Sequence, residues 1–224
     1  MRGILIAGNE SALLNYLGAE AARRSESYAL AVIKNRLSGG NQIIDNTEIN
    51  GSKSLVSIEW NPYSPISAGT LVLAAENTLD NISEAILVCN PPSVRCAAAE
   101  IKIVDVETLV NDHIKGWFYL IKELACKFRE KGDGTLVLVF PEYAAAGKDD
   151  IADHLGTAAL ASFKALTLGL LSASSSEPYL TMGFSGVCAG DEAGFASFIF
   201  KQIDEKNRRN DGKLHKYGKT GFFR

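Results

Sequence analysis

The sequence predicts an α/β fold in which one doubly wound parallel sheet lies between two layers of helices. Short apolar runs alternate with helical segments along the chain, and each run is continuous rather than alternating with polar residues. Continuous runs are typical of parallel strands that are buried on both faces. With 224 residues, 46% hydrophobic and 22% charged, the chain fits one large domain, and we expect that domain to cover residues 1–224.

The individual elements follow from apolar runs and helical periodicity. Strands are predicted near residues 4–7, 29–33, 56–60, 85–89, 136–140 and 179–182. Helices are predicted near 11–24, 71–81, 106–131, 151–174 and 191–207, with a loop over 62–69 because of its two prolines and a glycine. From about residue 187 onward we expect a shortened final helix and a polar tail. In such a fold, ligands bind at the carboxyl edge of the strands.

Composition and charge exclude several classes of function. The net charge of −3 offers no basic field for nucleic acid, and the cations near the C-terminus are interpreted as a solvated or oligomer-contacting tail. The apolar stretch 155–173 has Lys164 at its middle, which argues against a membrane span. The apolar run 4–7 is too short for a signal peptide, so we expect a cytoplasmic protein. The four cysteines form no C-x-x-C pair and stand beside no histidine, so no metal site is predicted.

Two stretches carry a resemblance to a known family. The run His113-Ile114-Lys115-Gly116-Trp117-Phe118 leads into an amphipathic helix and then into Gly134-Thr135-Leu136-Val137-Leu138-Val139. Together with the helix that carries Lys164, this order resembles the short-chain dehydrogenases/reductases over about residues 3–186. The resemblance implies a Rossmann-like fold, NAD or NADP as cofactor, and dimers or tetramers built through the two long helices.

The chain departs from this family at the turn that would hold the cofactor's pyrophosphate. The family pattern T-G-x-x-x-G-x-G reads Ala7-Gly8-Asn9-Glu10-Ser11-Ala12-Leu13-Leu14, so only Gly8 remains. A Cβ at the other glycine positions blocks the approach of backbone N–H groups to phosphate. The alternative is a capped helix start with Asn9 or Ser11 as the cap, and this is the interpretation we favour.

The catalytic positions of the family are altered as well. Leu160 stands four residues before Lys164, where the family has its proton-donating tyrosine. The family serine falls near Phe140-Pro141-Glu142, and His113 replaces an asparagine. Carbonyl reduction needs an acid near the substrate oxygen, so we consider Tyr143, His113 and Lys164 as substitutes, with His154 as a further nearby group. The first three also have structural interpretations: Tyr143 as a loop anchor, His113 as a capping group and Lys164 as a solvated cation.

The resemblance implies a cofactor site at Gly8, Asn90 and Lys164, with Lys34 and Arg36 after the second strand as contacts for the 2′-phosphate of NADP. Three functions stay open. The favoured one is a non-catalytic binding or assembly module. The second is an NAD(P)-dependent oxidoreductase for a small carbonyl or alcohol with a rearranged proton donor. The third is a cleft for another nucleotide or a small acidic metabolite, contacted by His113, Lys164 and Arg95.

The helices at 106–131 and 151–174 predict self-association. Both carry more apolar surface than one sheet face can cover, and the second is rich in small residues that let helices approach closely. We therefore expect a homodimer or homotetramer built on these two helices.

Overall fold

The computed structural model describes residues 2–24, 27–33, 55–142, 152–187, 190–205 and 210–218. Within these ranges the strands are β1 (Gly3–Asn9), β2 (Ser27–Ile33), β3 (Leu55–Trp60), β4 (Glu84–Val88), β5 (Thr135–Pro141), β6 (Leu180–Gly186) and β7 (Lys213–Tyr217). The helices are α1 (Ala12–Arg23), α2 (Pro65–Leu79), α3 (Ile103–Val110), α4 (Gly116–Lys131), α5 (His154–Ala173) and α6 (Glu192–Asp204).

These strands form one parallel sheet in the order β3-β2-β1-β4-β5-β6-β7. The predicted fold class is therefore confirmed. Chain order reverses between β1 and β4, where Gly8 lies beside Val88. In doubly wound folds, ligands bind beyond the carboxyl ends of the strands at such a switch point.

Two hydrophobic cores lie on opposite faces of the sheet. The first core, beneath α2, α4 and α5, contains Leu5, Ala7, Trp60 and Trp117 among its buried side chains. The second core, beneath α1 and α6, contains Ile4, Ile6 and Leu14, together with several phenylalanines. Successive residues of a strand point to opposite faces, which is why neighbouring side chains of β1 belong to different cores.

Helix α2 begins earlier than the sequence predicts, and the loop expected over 62–69 is mostly helical. Pro65 is the first residue of the helix, and the Ser64 side chain caps it by accepting a hydrogen bond from the Ser67 N–H. A proline has no N–H to lose in the first turn, so it starts this helix rather than interrupting it.

The long helix expected over 106–131 begins at Ile103 and is interrupted by a π turn at Asn111–Lys115. Short π turns inside α-helices occur frequently at functional sites. This one buries both Asp112 and His113. At the far end, Gly132 adopts φ 73°, which closes α4 in the left-handed conformation.

Strand β7 was missed, because residues 213–217 were predicted to belong to a polar tail. It pairs with β6, and its aromatic side chains pack on the second core. The His215 ring stacks on Phe184 at 5.0 Å between ring centroids, and Tyr217 stacks on Phe195 at 5.1 Å. Aromatic packing therefore stabilises this strand, although its lysines are typical of a solvated tail.

An ion-pair network joins four elements at the amino edge of the sheet. Arg2 donates two hydrogen bonds of 2.7 Å to the buried Glu84 carboxylate at the start of β4. Arg2 also pairs with Asp204 at the end of α6, at 2.8 Å. Asp204 in turn pairs with Arg24, which pairs with Glu20 of α1. Bidentate contacts between arginine and carboxylate are among the stronger polar interactions in proteins.

Residues 154–176 form the one described helical stretch that is long and apolar enough to cross a membrane, judged by length and composition only. A stripe of its side chains is buried against the sheet: Gly156, Ala159, Phe163, Thr167 and Leu171. Helix α5 therefore packs on one face of the sheet as part of a helical layer, although much of its surface is exposed.

Candidate functional site

The carboxyl ends of β1, β4, β5 and β6 meet at one edge of the sheet, because all four strands are parallel. Helices α1 and α5 begin at this edge, since each leads from one strand's carboxyl end to the next strand's amino end. The start of α4 also lies here, because Gly116 packs on Pro62, which follows the carboxyl end of β3. This edge is the candidate site.

The turn after β1 is a capped helix start, as the sequence favoured. The Ser11 hydroxyl accepts a hydrogen bond of 3.2 Å from the Leu14 N–H. Ser11, rather than Asn9, is therefore the cap. A first-turn N–H group that a phosphate would need already has a partner in the protein.

Protein atoms pack closely against Gly8. A Cβ built on Gly8 would lie 3.1 Å from the Leu14 Cδ1 atom and 2.8 Å from the Val88 carbonyl oxygen. Leu14 itself is buried. A pyrophosphate needs backbone approach at a turn of this kind, and Leu14 occupies the place where the family pattern has its last glycine. The exposed Glu10 adds a carboxylate beside this turn. The residues at this turn do not fit a dinucleotide pyrophosphate.

His113 lies at the carboxyl edge, on the π turn that precedes α4, and only 3% of its surface is exposed. Burial lowers the pKa of its imidazole to about 4, so the ring is neutral at neutral pH. Its Nδ1 atom has no hydrogen-bond partner among the described residues. A neutral imidazole offers one donor and one acceptor.

Lys164 and Leu160 lie on α5. Lys164 is exposed and stands ten residues after His154, the first residue of the helix. Its neighbour Phe163 packs on Trp117 of α4, with 5.3 Å between the ring centroids. Leu160 packs against the first core. The role of Lys164 at the site stays a prediction.

The other residues predicted for the site divide into two groups. Gly8 and the half-buried Asn90 lie at the carboxyl ends of β1 and β4, as the sequence predicts. Tyr143, Lys34 and Arg36 lie outside the described residues, so their placement stays a prediction.

Asp153 connects the segment after β4 to the start of α5. Its Oδ1 atom accepts hydrogen bonds from the Gly156 N–H at 2.8 Å and from the Val94 N–H at 3.2 Å. It therefore caps the helix and holds the chain that leaves β4 across the candidate site. Arg95, next to Val94, is exposed, so it has not been drawn into the buried part of this edge.

Two residues at this edge are not among those that the sequence predicts for the site. Asn9 ends β1 and Ser185 lies near the end of β6, and both are buried. The Asn9 Oδ1 and Ser185 Oγ atoms have no hydrogen-bond partner within the described ranges. Their positions at strand ends are the signal that could have identified them, because polar residues at such places commonly contact ligands.

No group of three or more histidine, cysteine, aspartate or glutamate side chains is arranged to hold a metal ion in the part of the chain that the structure describes. Cys89 is buried beside Trp117, and burial raises the pKa of its thiol, opposed in part by the Trp117 indole. A thiol in this state is a small apolar group rather than a nucleophile.

No protein-family model matches the chain, and no curated protein matches it either. Solved structures do resemble it closely in fold. A short-chain dehydrogenase from Mycobacterium smegmatis superimposes with a TM-score of 0.76 at 12% identity, covering 98% of this chain and 93% of that one. A short-chain dehydrogenase from Bacillus anthracis gives 0.74 at 13% identity, covering 96% and 94%. Levodione reductase gives 0.73 at 11% identity, covering 96% and 95%. The chain therefore has the fold of the short-chain dehydrogenases/reductases.

Proposed function

We propose that this chain, whose fold is that of the short-chain dehydrogenases/reductases, is a divergent member of that family and a non-catalytic binding or assembly module. The observation that carries the proposal is the packing of Leu14 over Gly8, with Ser11 bonded to the Leu14 N–H. The Leu14 N–H, a donor of the kind that a pyrophosphate uses, already has a partner, and Leu14 stands where the family pattern has its last glycine.

The positions of the predicted catalytic groups support the same proposal. An acid for carbonyl reduction must lie within hydrogen-bond reach of the substrate. Leu160, which has no titratable group, packs against the first core, and the Lys164 side chain is exposed. Among the described candidates, His113 lies at the edge and is neutral.

A turnover assay tests this proposal. The purified protein is mixed with NADH or NADPH and a panel of small aldehydes and ketones, and cofactor absorbance is followed. We expect no oxidation above the background without protein. Turnover that His113→Phe removes would overturn the proposal and establish the alternative function, an NAD(P)-dependent oxidoreductase with a rearranged acid.

That alternative is kept because of one observation, the unpartnered and neutral His113 at the carboxyl edge. Imidazole is the side chain most often used for proton transfer in enzymes. If His113 were the acid, the rate would fall as pH rises through the pKa of the imidazole in the complex, whereas a purely structural histidine would give no such profile.

We further propose that the chain assembles with itself through α4 and α5. The outer face of α5 exposes small and apolar residues, among them Ala158, Ala161, Ala165 and Leu168. On α4, Phe118 is about half exposed. Exposed apolar side chains grouped on one helix face are typical of protein interfaces. Lys164 lies on the same outer face and is the cation within it.

A matched pair of substitutions tests the assembly. Leu168 on α5 is 46% exposed and Leu73 on α2 is 59% exposed, so both changes to glutamate place a charge at a surface leucine. We expect Leu168→Glu to give a monomer in sedimentation at tens of micromolar, and Leu73→Glu to keep the oligomer. A wild-type monomer at that concentration would refute the assembly.

A further inference from the structure

Among the described elements, strand β7 pairs with a single neighbour. It is the last strand in the sheet order, and its residues, Lys213–Tyr217, pair with β6. All of its side chains are half-buried or exposed, whereas every residue of β1 is buried. An edge strand with little buried surface opens at a lower free-energy cost than the central strands. The attachment of β7 therefore depends on a few side-chain contacts.

Those contacts join β7 to the second core. The His215 ring stacks on Phe184 of β6, with 5.0 Å between ring centroids and an interplanar angle of 20°. The Tyr217 ring stacks on Phe195 of α6, and the Tyr217 hydroxyl donates a hydrogen bond to the Asp191 carboxylate. That carboxylate also caps α6. One contact thus lies in the middle of the strand and the other at its carboxyl end.

The surroundings of Tyr217 leave room for its ring. A Cβ built on Gly186, at the end of β6, or on Gly194, in the first turn of α6, would collide with Tyr217. Two separate elements therefore have a glycine where the Tyr217 side chain lies. This fit makes Tyr217 the anchor of the carboxyl end of β7.

His215 is the group in these contacts whose charge can change in mildly acidic solution. Burial lowers the pKa of its imidazole; a hydrogen bond with the Asn210 backbone opposes this, Lys213 of β7 lowers the pKa further, and Glu205 after α6 raises it. The Nε2 atom is buried and has no hydrogen-bond partner within the described ranges. An imidazolium would place an N–H there without an acceptor, and its attraction to the Phe184 ring offsets only part of that cost.

The sign of the pH dependence follows from these contacts. In a detached strand the imidazole has its ordinary pKa of about 6.5, so the detached strand binds a proton more readily than the attached one. Attachment is therefore strongest above about pH 6.5 and weakens as pH falls toward the lowered pKa of the attached state.

We propose that β7 is an acid-sensitive edge strand, which detaches from β6 in mildly acidic solution while the other six described strands stay paired. Detachment uncovers the outer edge of β6 and the Phe184 ring. The protein then gains an unpaired strand edge and an apolar surface, the two features through which sheets recruit a further strand. This behaviour is independent of whether the carboxyl edge binds a cofactor.

Amide hydrogen exchange at pH 7.5 and pH 5, read by mass spectrometry and corrected for the intrinsic exchange rate at each pH, tests the proposal. Peptides that cover β7 report its opening, and peptides that cover β1 are the internal reference for global unfolding. We expect the opening constant of β7 to rise at least about threefold more than that of β1 between pH 7.5 and pH 5.

Three variants assign the effect to its cause. His215→Phe keeps a ring against Phe184 but cannot titrate, so the additional rise at β7 should disappear. His154→Phe, at an exposed histidine on α5, is the matched control and should keep it. Tyr217→Phe removes the hydrogen bond to Asp191 and should raise the opening of β7 at both pH values by about fivefold or more, with the ratio between them unchanged.

Three results would overturn the proposal. They are equal rises for β7 and β1, β7 amides that are already unprotected at pH 7.5, and a rise at β7 that persists in His215→Phe. If that variant does not fold, the comparison of β7 with β1 in the wild-type protein still decides.

Discussion

The two edges of the sheet differ in whether their buried polar groups have hydrogen-bond partners among the described residues. At the amino edge, the buried Glu84 is bonded twice by Arg2, and the network extends through Asp204 to Arg24. At the carboxyl edge, Asn9, His113 and Ser185 are as deeply buried but present atoms without partners among the described residues. The amino edge thus serves stability, whereas the carboxyl edge carries polar groups that stability does not need.

The largest effect is expected at the amino edge. Arg2→Met removes the guanidinium that donates two hydrogen bonds to Glu84, so the buried carboxylate loses the counter-charge that Arg2 supplies. Breaking a buried pair in this way costs about 3–5 kcal/mol, measured as the free energy of unfolding in urea. The control is Glu177→Gln, whose partner Arg129 is largely exposed, and its cost should stay under about 1 kcal/mol. Equal costs for both variants would remove the contrast between the edges.

The next effect is a pH dependence that originates at the carboxyl edge. Burial lowers the pKa of His113 from 6.5 to about 4, so the unfolded chain binds a proton more readily than the folded protein. Stability is therefore full above about pH 6.5 and declines as pH falls toward 4. Between about pH 7.5 and pH 5 we expect a loss of about 2 kcal/mol in unfolding free energy from this residue.

The variant His113→Asn should reduce that loss, because an amide does not titrate in this range. Some dependence will remain, since burial also lowers the pKa of His215. Urea unfolding of both proteins at the two pH values measures the difference. An identical pH dependence in wild type and variant would mean that His113 is not the buried neutral group described above.

A smaller effect concerns the cap of α1. Ser11→Ala leaves the Leu14 N–H without its side-chain acceptor and should cost about 1 kcal/mol in thermal or urea unfolding. Ser172→Ala, on the exposed side of α5, should cost less than about 0.5 kcal/mol. If Ser11→Ala were neutral, Ser11 would not be holding the turn closed.

The smallest effect on the free energy of unfolding is expected at Asn9. The sign of this effect shows whether the Asn9 amide has a hydrogen-bond partner. Replacing an unpartnered buried amide with a similarly sized apolar side chain is nearly neutral or stabilising. We therefore expect Asn9→Leu to unfold at the same urea concentration as wild type or slightly higher. A loss of more than about 1 kcal/mol would show that the Asn9 amide is bonded in solution and belongs with the amino edge.

The sequence predicts the fold well because its signals are local. Continuous apolar runs identify six of the seven strands, and Gly132-Asp133-Gly134 marks the end of α4. Strand β7 was missed because His215 and Tyr217 gain their stability from rings on β6 and α6, which no local pattern reveals. Pro65 was read as a loop residue although a proline can begin a helix.

The candidate site is harder to predict than the fold. Gly8 and Ser11 could be interpreted from sequence because the turn after β1 is contiguous in the chain. Asn9, His113 and Ser185 reach one edge only through the parallel sheet register and the position of the π turn, so their shared placement needs three dimensions. Lys164 is assigned to the site by its spacing in a family pattern, and that assignment stays a prediction, although its neighbour Phe163 contacts Trp117.

Calorimetric titration of the wild-type protein with NADH and with NADPH tests the central claim most directly, because that claim concerns a turn closed to pyrophosphate. The account predicts no heat of binding with either cofactor up to millimolar concentration. Saturable binding in the micromolar range, weakened when Gly8 is replaced by valine, would contradict it.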